Sequence, residues 1–369
     1  MNSTDTTIKP KPLNYTEWFN EHFNIGLKQA TKFSLNNPRK AIFFGNKIVR
    51  FYFASRRRKG WKDKGVQVPP MLIYSITNQC NLDCNGCYAK ILHTSEKGEF
   101  NAQKFSQVIQ QADEIGVSYI LLAGGEPFMR SELLDVTAAH PNIIFTPFTN
   151  GMLVTEDHIR RLQKQPHVIP IVSFEGYELE TDKRRGQGVY DNGFELIQRF
   201  QQDGIYYGVS VTTTHDNFET VIDPKFIERL VDLGCKVFFF INYVPVAPGT
   251  DDMVMSVPQV NELNRILEEC RREYPALFLA FPGSEIDFGG CLAAGKGFVH
   301  INAEGDVEPC PFSPYTDASL RDMPLIEALK SPLLNAIREN DFRLDESNGI
   351  CALWQNREWV ADLAPTESV

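Results

Sequence analysis

Several features are missing from this chain of 369 residues, and each absence narrows its class. It contains no run of about eighteen uncharged apolar residues, so a transmembrane helix is not expected. Its first residues contain no apolar segment typical of a secretory signal, which favours a cytoplasmic location, where thiols stay reduced. The net charge of −10 offers no general excess of basic residues, so nucleic-acid binding is not expected.

The basic residues are concentrated near the N-terminus. Between Arg39 and Lys64, ten basic residues accompany one acidic residue, so this window carries +9 and the remainder −19. Apolar residues from 42 to 53 run directly into the basic stretch 56–59. One interpretation is a set of helices that pack on the protein body with a solvated basic end. The other is a surface helix that makes a peripheral contact with anionic lipid or an acidic partner.

The hydrophobic pattern divides the chain into three predicted domains. Residues 1–68 are predicted to form an N-terminal helical region that ends in a basic linker, from Arg56 to Pro70. Residues 69–250 alternate short apolar runs with amphipathic helical segments, and residues 251–369 add a C-terminal region with clustered glycines and cysteines. The six apolar runs of the central part are 71–76, 119–122, 143–147, 168–174, 206–213 and 237–244.

The alternation in residues 69–250 predicts the fold class. Repeated strand–helix units form a parallel sheet, because each crossover between parallel strands uses a helix. Six units are too few for a closed eight-stranded barrel. The chain is therefore expected to be an α/β protein with a partial (β/α)6 TIM-like barrel. In such sheets the chemistry lies at the C-terminal ends of the strands.

Three cysteines follow the first apolar run. Cys80, Cys84 and Cys87 have the spacing C-x3-C-x2-C, and in a cytoplasmic protein they are expected to be ligands rather than disulfide partners. Structural zinc sites nearly always take four protein ligands, whereas an iron–sulfur cubane held by three cysteines keeps one iron open. The alternative is a zinc site with His93 as its fourth ligand, although His93 lies outside the usual spacing.

Further candidate residues lie at the ends of later apolar runs. The second run is followed by a Gly-Gly-Glu-Pro sequence, and the third by Thr-Asn-Gly. The fourth ends in Ser-Phe-Glu-Gly, with an Arg-Arg-Gly sequence shortly after it. These sequences supply the candidates Gly124, Gly125, Glu126, Asn150, Ser173, Glu175, Arg184 and Arg185.

In this order and spacing, the motifs resemble the radical S-adenosylmethionine (radical SAM) superfamily over roughly residues 70–250. The resemblance implies that Cys80, Cys84 and Cys87 hold a [4Fe–4S] cluster whose open iron binds S-adenosylmethionine (SAM). Reductive cleavage of SAM then gives a 5′-deoxyadenosyl radical, which abstracts hydrogen from a substrate C–H bond. The cofactor supplies the hard chemistry, and the protein positions it and excludes water.

The resemblance also implies roles in SAM binding for the residues after the second and third runs. Gly124 and Gly125 would let backbone carbonyls approach the SAM ammonium group. Glu126 would hold either the chain or that ammonium group, and Asn150 would assist. The alternative for the two glycines is an ordinary turn.

The residues after the fourth run are implied to contact other parts of SAM. Ser173 and Glu175 would bond the ribose hydroxyls or the methionine part. Arg184 or Arg185 would clamp the SAM carboxylate with paired hydrogen bonds. The alternative for the two arginines is a pair of solvated surface charges.

One position departs from the family pattern. The family usually has an aromatic residue just before the third cysteine, against the adenine. This chain has Gly86 there, and Tyr88 just after Cys87. Tyr88 is therefore the candidate for adenine packing, or it packs near the cluster.

Three later cysteines form a second candidate group. Cys291 and Cys310 flank a predicted hairpin around residues 303–306, and Cys351 follows near the C-terminus. This part, at 283–352, resembles the SPASM/Twitch extensions of radical SAM enzymes and implies a second [4Fe–4S] cluster. Trp354 stands where a fourth cysteine would follow, so either one iron is open to substrate or Cys270 reaches it. The alternative is three buried free thiols.

The resemblance implies an oxygen-sensitive oxidoreductase, with peptide or protein modification as the leading substrate class. A small molecule, or a lipid at the membrane surface, is the alternative. The expected partner is a low-potential electron donor of the ferredoxin or flavodoxin type. Methyl transfer is less supported because no cobalamin-binding region is evident. A rival class is a non-catalytic scaffold that binds zinc at both cysteine groups.

Overall fold

The computed structural model describes residues 38–93, 97–282, 285, 290–346 and 350–364. The part of the predicted N-terminal helical region that precedes Pro38 lies outside the described residues. No helix in the described part of the chain is long and apolar enough to cross a membrane.

A nine-stranded sheet forms the centre of the molecule, in the order β7-β6-β5-β4-β3-β2-β1-β8-β9. Every neighbouring pair is parallel except the β8–β9 hairpin. The α/β class and the partial barrel are therefore confirmed. The strands are β1 (Met71–Thr77), β2 (Tyr119–Gly124), β3 (Ile144–Thr149), β4 (Ile171–Phe174), β5 (Gly208–Thr213), β6 (Val237–Asn242), β7 (Leu277–Phe281), β8 (Phe298–Ile301) and β9 (Val307–Glu308).

Amphipathic helices connect the strands and bury most of their apolar sides in one large core, and a smaller cluster surrounds Ile144. The first is α1 (Pro38–Lys62). The others in the first half are α2 (Tyr88–Leu92), α3 (Ala102–Ile115), α4 (Leu133–Ala139), α5 (Glu156–Leu162), α6 (Glu178–Arg185) and α7 (Val189–Gln202). The remaining helices are α8 (Phe218–Val221), α9 (Pro224–Asp232), α10 (Val257–Glu273), α11 (Leu325–Ala328), α12 (Pro332–Glu339), α13 (Ala352–Gln355) and α14 (Arg357–Leu363).

Helix α1 is longer than the sequence pattern indicates. The predicted linker from Arg56 is instead helical as far as Lys62. Arginine and lysine are good helix formers, and positive charge near the C-terminal end of a helix complements its dipole. Arg58 is buried; its guanidinium donates to the Gly116 carbonyl and lies 3.1 Å from Ser118 Oγ. The basic segment thus anchors one side of α1 to the barrel.

Three strands beyond the six expected ones extend the sheet, β7 at one edge and β8 and β9 at the other. Strand β7 pairs with β6, and β8 pairs with β1 so that Phe298 lies opposite Met71. The sequence predicts the hairpin at β8 and β9, but not its addition to the barrel sheet. The hairpin therefore joins the sheet directly beside the strand that leads to Cys80. The domain boundaries at residues 68 and 250 remain a prediction.

Candidate active site

One large cavity contains nearly every residue that the sequence motifs single out. Its empty volume, including the part open to solvent, is about 1620 Å³. Both cysteine groups line it, together with apolar side chains from the inner faces of β1, β3 and β6. Of the candidate residues, these line it: Cys80, Cys84, Cys87, Tyr88, Gly124, Gly125, Glu126, Asn150, Ser173, Arg184, Arg185, Cys291, Cys310 and Cys351.

The glycine pair after β2 lies tightly against the segment that leads from β1 to the first cysteine. Gly125 N donates to the Thr77 carbonyl at 2.7 Å. A Cβ atom at Gly125 would lie 1.9 Å from the Gln79 carbonyl oxygen, and one at Gly124 would lie 2.2 Å from the Thr77 carbonyl oxygen. Only glycine allows this approach, so the pair sets the path of the chain just before Cys80.

The buried carboxylate of Glu126 links the ends of two strands by hydrogen bonds. Its Oε1 accepts from Phe128 N at 3.1 Å and from Thr149 Oγ1 at 2.8 Å, and its Oε2 accepts from Asn150 N at 2.8 Å. Burial raises the pKa of Glu126, and these hydrogen bonds oppose the rise. The carboxylate therefore holds the chain, which is one of the two roles the sequence left open.

Asn150 extends the same contact network to the cysteine segment. Its Nδ2 lies 2.9 Å from Asn81 Oδ1, directly after Cys80, and its Oδ1 accepts from Met152 N at 2.9 Å. The side-chain amide is thus engaged with the protein at both ends. Asn81 is a residue that the sequence analysis missed, because no motif marks it.

Two arginines and one glutamate form the charged wall of the cavity. Glu175 Oε1 accepts from Arg184 Nη1 at 2.5 Å and from Arg185 Nε at 2.7 Å. Arg184 also donates to Thr212 Oγ1 at 3.1 Å, on the next strand. All three side chains are at most 14% exposed, so the interpretation of the arginines as solvated surface charges is wrong. Glu175 stands behind the two arginines, and they line the cavity.

Ser173 lies next to a second serine at its strand end. Its Oγ lies 3.0 Å from Ser210 Oγ on the neighbouring strand, and both hydroxyls line the cavity. The parallel register of β4 and β5 places the two serines directly opposite each other. Ser210 is therefore a further hydroxyl of the site that the motifs do not mark.

An aromatic pair lies between the two cysteine groups. The rings of Tyr88 and Phe312 have centroids 5.1 Å apart. Tyr88 follows Cys87, and Phe312 lies two residues after Cys310. The pair therefore joins the wall beside the first cysteine group to the wall beside the second.

A tyrosine directly after β6 takes the space beside Gly86. Gly86 has φ +66°, and a Cβ atom there would lie 2.3 Å from Tyr243 Oη and 2.9 Å from its ring. Tyr243 lines the cavity, and its Oη donates to Thr250 Oγ1 at 2.9 Å. The residue before the third cysteine thus has no side chain because an aromatic ring from elsewhere packs there. Sequence spacing gave no signal for this contact.

The first cysteine group combines burial with nearby positive charge. Burial raises the pKa of the Cys84 thiol, and the Arg185 and Arg184 guanidinium groups partly offset the rise. Burial also raises the pKa of Cys80. Without a metal these thiols keep their protons near neutral pH, so metal binding releases protons.

The second cysteine group is more deeply buried than the first and lies beside two glutamates. Cys291, Cys310 and Cys351 are buried, and burial raises the pKa of Cys351 to about 12. Glu346 and Glu285 also line this part of the cavity and raise the thiol pKa values further. A small neighbouring cavity is lined by Cys351 together with residues at the ends of β6 and β7.

The sulfur positions bear on the zinc alternative. Two thiolates on one zinc ion can lie at most about 4.6 Å apart, since each Zn–S bond is about 2.3 Å. Within the described residues, neither cysteine group has all its sulfurs within 4.8 Å of one another. In this arrangement neither group is preformed around one ion, whereas a cubane offers each sulfur its own iron.

His93, the suggested fourth zinc ligand, is engaged elsewhere. It lies with His300 and Glu308 in a buried cluster, and its Nε2 is 3.0 Å from the Pro311 carbonyl. His300 bridges Ser75 Oγ at 2.8 Å and Glu308 Oε2 at 2.6 Å. The latter distance is a hydrogen bond, shorter than the separation of about 3.3 Å between two ligands of tetrahedral zinc. This cluster ties the hairpin to β1.

Comparison with known families decides the class. Residues 74–230 match the model of the radical SAM superfamily. The chain carries a radical SAM domain. The superfamily of this domain uses a [4Fe–4S] cluster and SAM, the protein is an enzyme, and the resemblance seen in the motifs is confirmed.

The relatives of this radical SAM protein include several named enzymes. It is 25% identical over 290 residues to the AdoMet-dependent heme synthase of Nitratidesulfovibrio vulgaris, covering 70% of this chain and 77% of that protein. It is 29% identical over 265 residues to the mycofactocin maturase MftC of Mycobacterium tuberculosis, covering 68% and 66%. The structure of Streptococcus suis SuiB bound to precursor peptide SuiA has a TM-score of 0.65 at 19% identity, covering 91% of this chain and 84% of that one. The last likeness shows a shared fold.

The donor set of this radical SAM domain fits the family's cofactors. Three thiols with wide spacing suit a cubane, and two guanidinium groups line the same cavity. In the described structure, Arg184 Nε and Glu175 Oε2 are buried without a hydrogen-bond partner. Such unsatisfied polar atoms beside a cavity are expected where a polar ligand completes the site.

Proposed function

We propose that Cys80, Cys84 and Cys87 hold the [4Fe–4S] cluster of the radical SAM domain. We also propose that Cys291, Cys310 and Cys351 hold a second cluster in the same cavity. When bound, the first cluster and SAM supply a 5′-deoxyadenosyl radical for hydrogen abstraction from a substrate C–H bond. The observation that carries the proposal is that one cavity is lined by both cysteine groups.

The residues around the first group have distinct positioning tasks in this proposal. Arg184 and Arg185 present cationic groups for the SAM carboxylate, and Glu175 fixes both guanidinium groups. Ser173 offers a hydroxyl to the ribose. Glu126 acts as a positioning residue, because its carboxylate is fully used by the chain.

Adenine packing is assigned to aromatic side chains near Gly86. Tyr243 fills the space beside Gly86, and Tyr88 packs with Phe312 nearby. Apolar walls from β3 and β6 exclude water from the remaining cavity. The chain's own contribution is thus to orient SAM and to keep the reacting C–H bond dry.

The substrate is proposed to be a peptide, modified by net oxidation or bond formation. The support is the similarity to the mycofactocin maturase and the fold shared with SuiB, which was crystallised with a precursor peptide. The second candidate is a small molecule, such as a tetrapyrrole, which similarity to the heme synthase favours. An electron donor of the ferredoxin or flavodoxin type and a cytoplasmic location belong to both versions.

A peripheral membrane contact is proposed for one side of α1. Ile42, Val49, Tyr52 and Phe53 are each more than half exposed, and basic side chains follow them along the helix. An exposed apolar stripe next to basic residues suits an anionic lipid surface. The opposite side packs on the barrel through Phe51 and Arg58. The packing interpretation fits one side of this helix, and the proposed lipid contact uses the other side.

The substrate class is tested by anaerobic incubation with SAM, a reductant and two fractions of a cell extract, one of peptides and one of small molecules. The readout is 5′-deoxyadenosine formed above the substrate-free level, together with mass changes in the fraction. Stimulation by the peptide fraction that is lost after protease treatment supports a peptide. Stimulation only by the small-molecule fraction contradicts it and favours the second candidate.

A further inference from the structure

We infer that Glu346 is the fourth protein ligand of the second cluster. This inference rests on the proposed function, because it requires a cluster on Cys291, Cys310 and Cys351. Three cysteines leave one iron of a cubane without a protein ligand. The sequence left that position either open to substrate or filled by Cys270.

The backbone places Glu346 against the second cysteine group. Cys291 N donates to the Leu344 carbonyl at 2.8 Å, two residues before Glu346. A Cβ atom at Gly290 would lie 2.1 Å from the same carbonyl oxygen, so the two segments are in direct contact. On the other side, Glu346 Oε1 accepts from Ala352 N at 3.1 Å, directly after Cys351. The carboxylate is thus held between two of the three cysteines.

One oxygen of this carboxylate has no partner. Glu346 is 1% exposed, and its Oε2 is a buried atom without a hydrogen bond in the described structure. The cavity wall includes both Glu346 and Cys291. An unsatisfied carboxylate oxygen is costly in a buried site. An iron ion in the same cavity removes that cost, because carboxylate oxygen is an ordinary ligand for iron.

The other possible ligands fit less well. Cys270 lies on α10 and is not among the residues that line the cavity in the described structure. Glu285 also lines it, but no Glu285 oxygen is among the buried atoms of the described structure that have no hydrogen-bond partner. Trp354 offers no ligand atom, since its indole N–H is a donor only. Glu346 is therefore the assigned ligand, and Glu285 provides the matched control.

The assignment of Glu346 as a ligand changes whether the second cluster is expected to bind substrate. If Glu346 occupies the fourth iron, the cluster is complete without substrate. Its role is then to accept or pass an electron rather than to bind substrate directly. A carboxylate also adds negative charge at the iron, which lowers the reduction potential of the cluster.

The test isolates the second cluster in the full-length chain. Replacing Cys80, Cys84 and Cys87 with alanine removes the first site, and the anaerobically reconstituted protein is expected to keep about four irons. In this triple-alanine background the parent protein, which keeps Glu346, is compared with three variants: Glu346→Gln, Glu346→Cys and Glu285→Gln. The measurements are iron content, the midpoint potential, and the yield of the [3Fe–4S] EPR signal after mild oxidation.

The expected result is specific to Glu346. Glu346→Gln raises the midpoint potential and increases the [3Fe–4S] signal several-fold, because the fourth iron is lost more easily. Glu346→Cys restores a low potential and a low [3Fe–4S] yield, and Glu285→Gln behaves like the parent protein. If Glu346→Gln leaves both readouts unchanged, or if Glu285→Gln alone shifts them, the inference is overturned. A parent protein without iron overturns the second cluster itself, and iron content distinguishes that failure from the others.

Discussion

Glu175 is the residue on which the charged wall of the cavity depends. It holds two guanidinium groups while being 1% exposed, and such a buried charge is stable only as long as its partners remain. The position of both arginines in the cavity wall therefore depends on one carboxylate. The sequence identified all three residues but not that the glutamate stands behind the arginines.

We predict that Glu175→Gln lowers the free energy of unfolding by about 3 kcal/mol, because it leaves two buried cations without their counter-charge. Denaturant unfolding of the metal-free protein measures this change. The exposed pair between Lys183 and Asp216 is the control, and Asp216→Asn should change stability by less than about 1 kcal/mol. Equal effects of the two substitutions would contradict the role assigned to Glu175.

A second prediction concerns Gly86. Gly86→Ala adds the strain of a left-handed alanine, about 1 kcal/mol, and a clash with Tyr243. Gly188→Ala, at φ +81° with open space around it, should carry only the strain. We expect Gly86→Ala to lower the melting temperature more than Gly188→Ala and to reduce iron loading of the first site. Adding Tyr243→Ala should recover part of the loss; no recovery would show that the two residues do not share that space.

Whether the sequence can reveal a site residue depends on how far apart in sequence that residue and its contact partner lie. Residues directly after strands were found, because parallel strand ends meet at one edge whatever the details. Tyr243 and Glu346 were not found as partners of Gly86 and Cys291. Their contacts join segments far apart in sequence, and no local spacing encodes such a contact.

Among the elements, the segment before Cys80 and the loop after β2 act as one unit. Gly125→Ala would place a Cβ atom 1.9 Å from the Gln79 carbonyl oxygen. We predict that this change removes the first cluster but spares the second, so that anaerobic protein falls from about eight irons to about four. Gly98→Ala, with nothing within 4 Å, is the control and should keep both. A full iron complement in Gly125→Ala would contradict the close approach of the two segments.

Helix α1 is predicted to bind anionic lipid vesicles through its basic residues. Arg56, Lys59 and Lys62 are exposed, and each basic residue near an anionic surface contributes about 1 kcal/mol. Replacing all three with glutamine should weaken binding to phosphatidylserine vesicles about 100-fold, measured by co-sedimentation at low salt. The same change at Lys104, Lys225 and Lys330, which are exposed elsewhere, should have little effect. Binding that resists both high salt and the first triple change would rule out the contact.

The boundaries of elements were harder to predict than their existence. All six central strands appear, but β4 begins at Ile171 rather than at residue 168. Pro170 precedes it and has no N–H for a ladder hydrogen bond. Strands β7 and β8 were missed as members of the sheet, because their pairing with β6 and β1 joins segments that no local pattern links.

For the whole molecule, the free energy of unfolding should decrease at acidic pH, because a buried histidine has a lowered pKa. Burial lowers the pKa of His167 to about 4, and a hydrogen bond to the Thr137 carbonyl opposes this shift. Between about pH 6.5 and pH 4 the unfolded chain binds a proton that the folded chain does not, so stability falls as the pH falls. We expect a loss of up to about 3 kcal/mol in this window.

Thermal unfolding of the metal-free protein across this range measures the effect. His167→Gln removes the titrating ring, so its stability should change less between about pH 6.5 and pH 4. The two proteins should differ little in slope above pH 6.5, where the ring is neutral in both states. Parallel curves below pH 6.5 would show that His167 does not contribute.

At the same scale, two separate iron–sulfur clusters are predicted to face one cavity. Anaerobic purification followed by iron analysis, Mössbauer spectroscopy and a SAM-cleavage assay tests this most directly. We predict a brown protein with about eight irons per chain, which forms 5′-deoxyadenosine with SAM and a reductant. With Cys80, Cys84 and Cys87 replaced by alanine, it should keep about four irons and lose SAM cleavage. A colourless protein that binds zinc at both cysteine groups and leaves SAM intact would contradict the account.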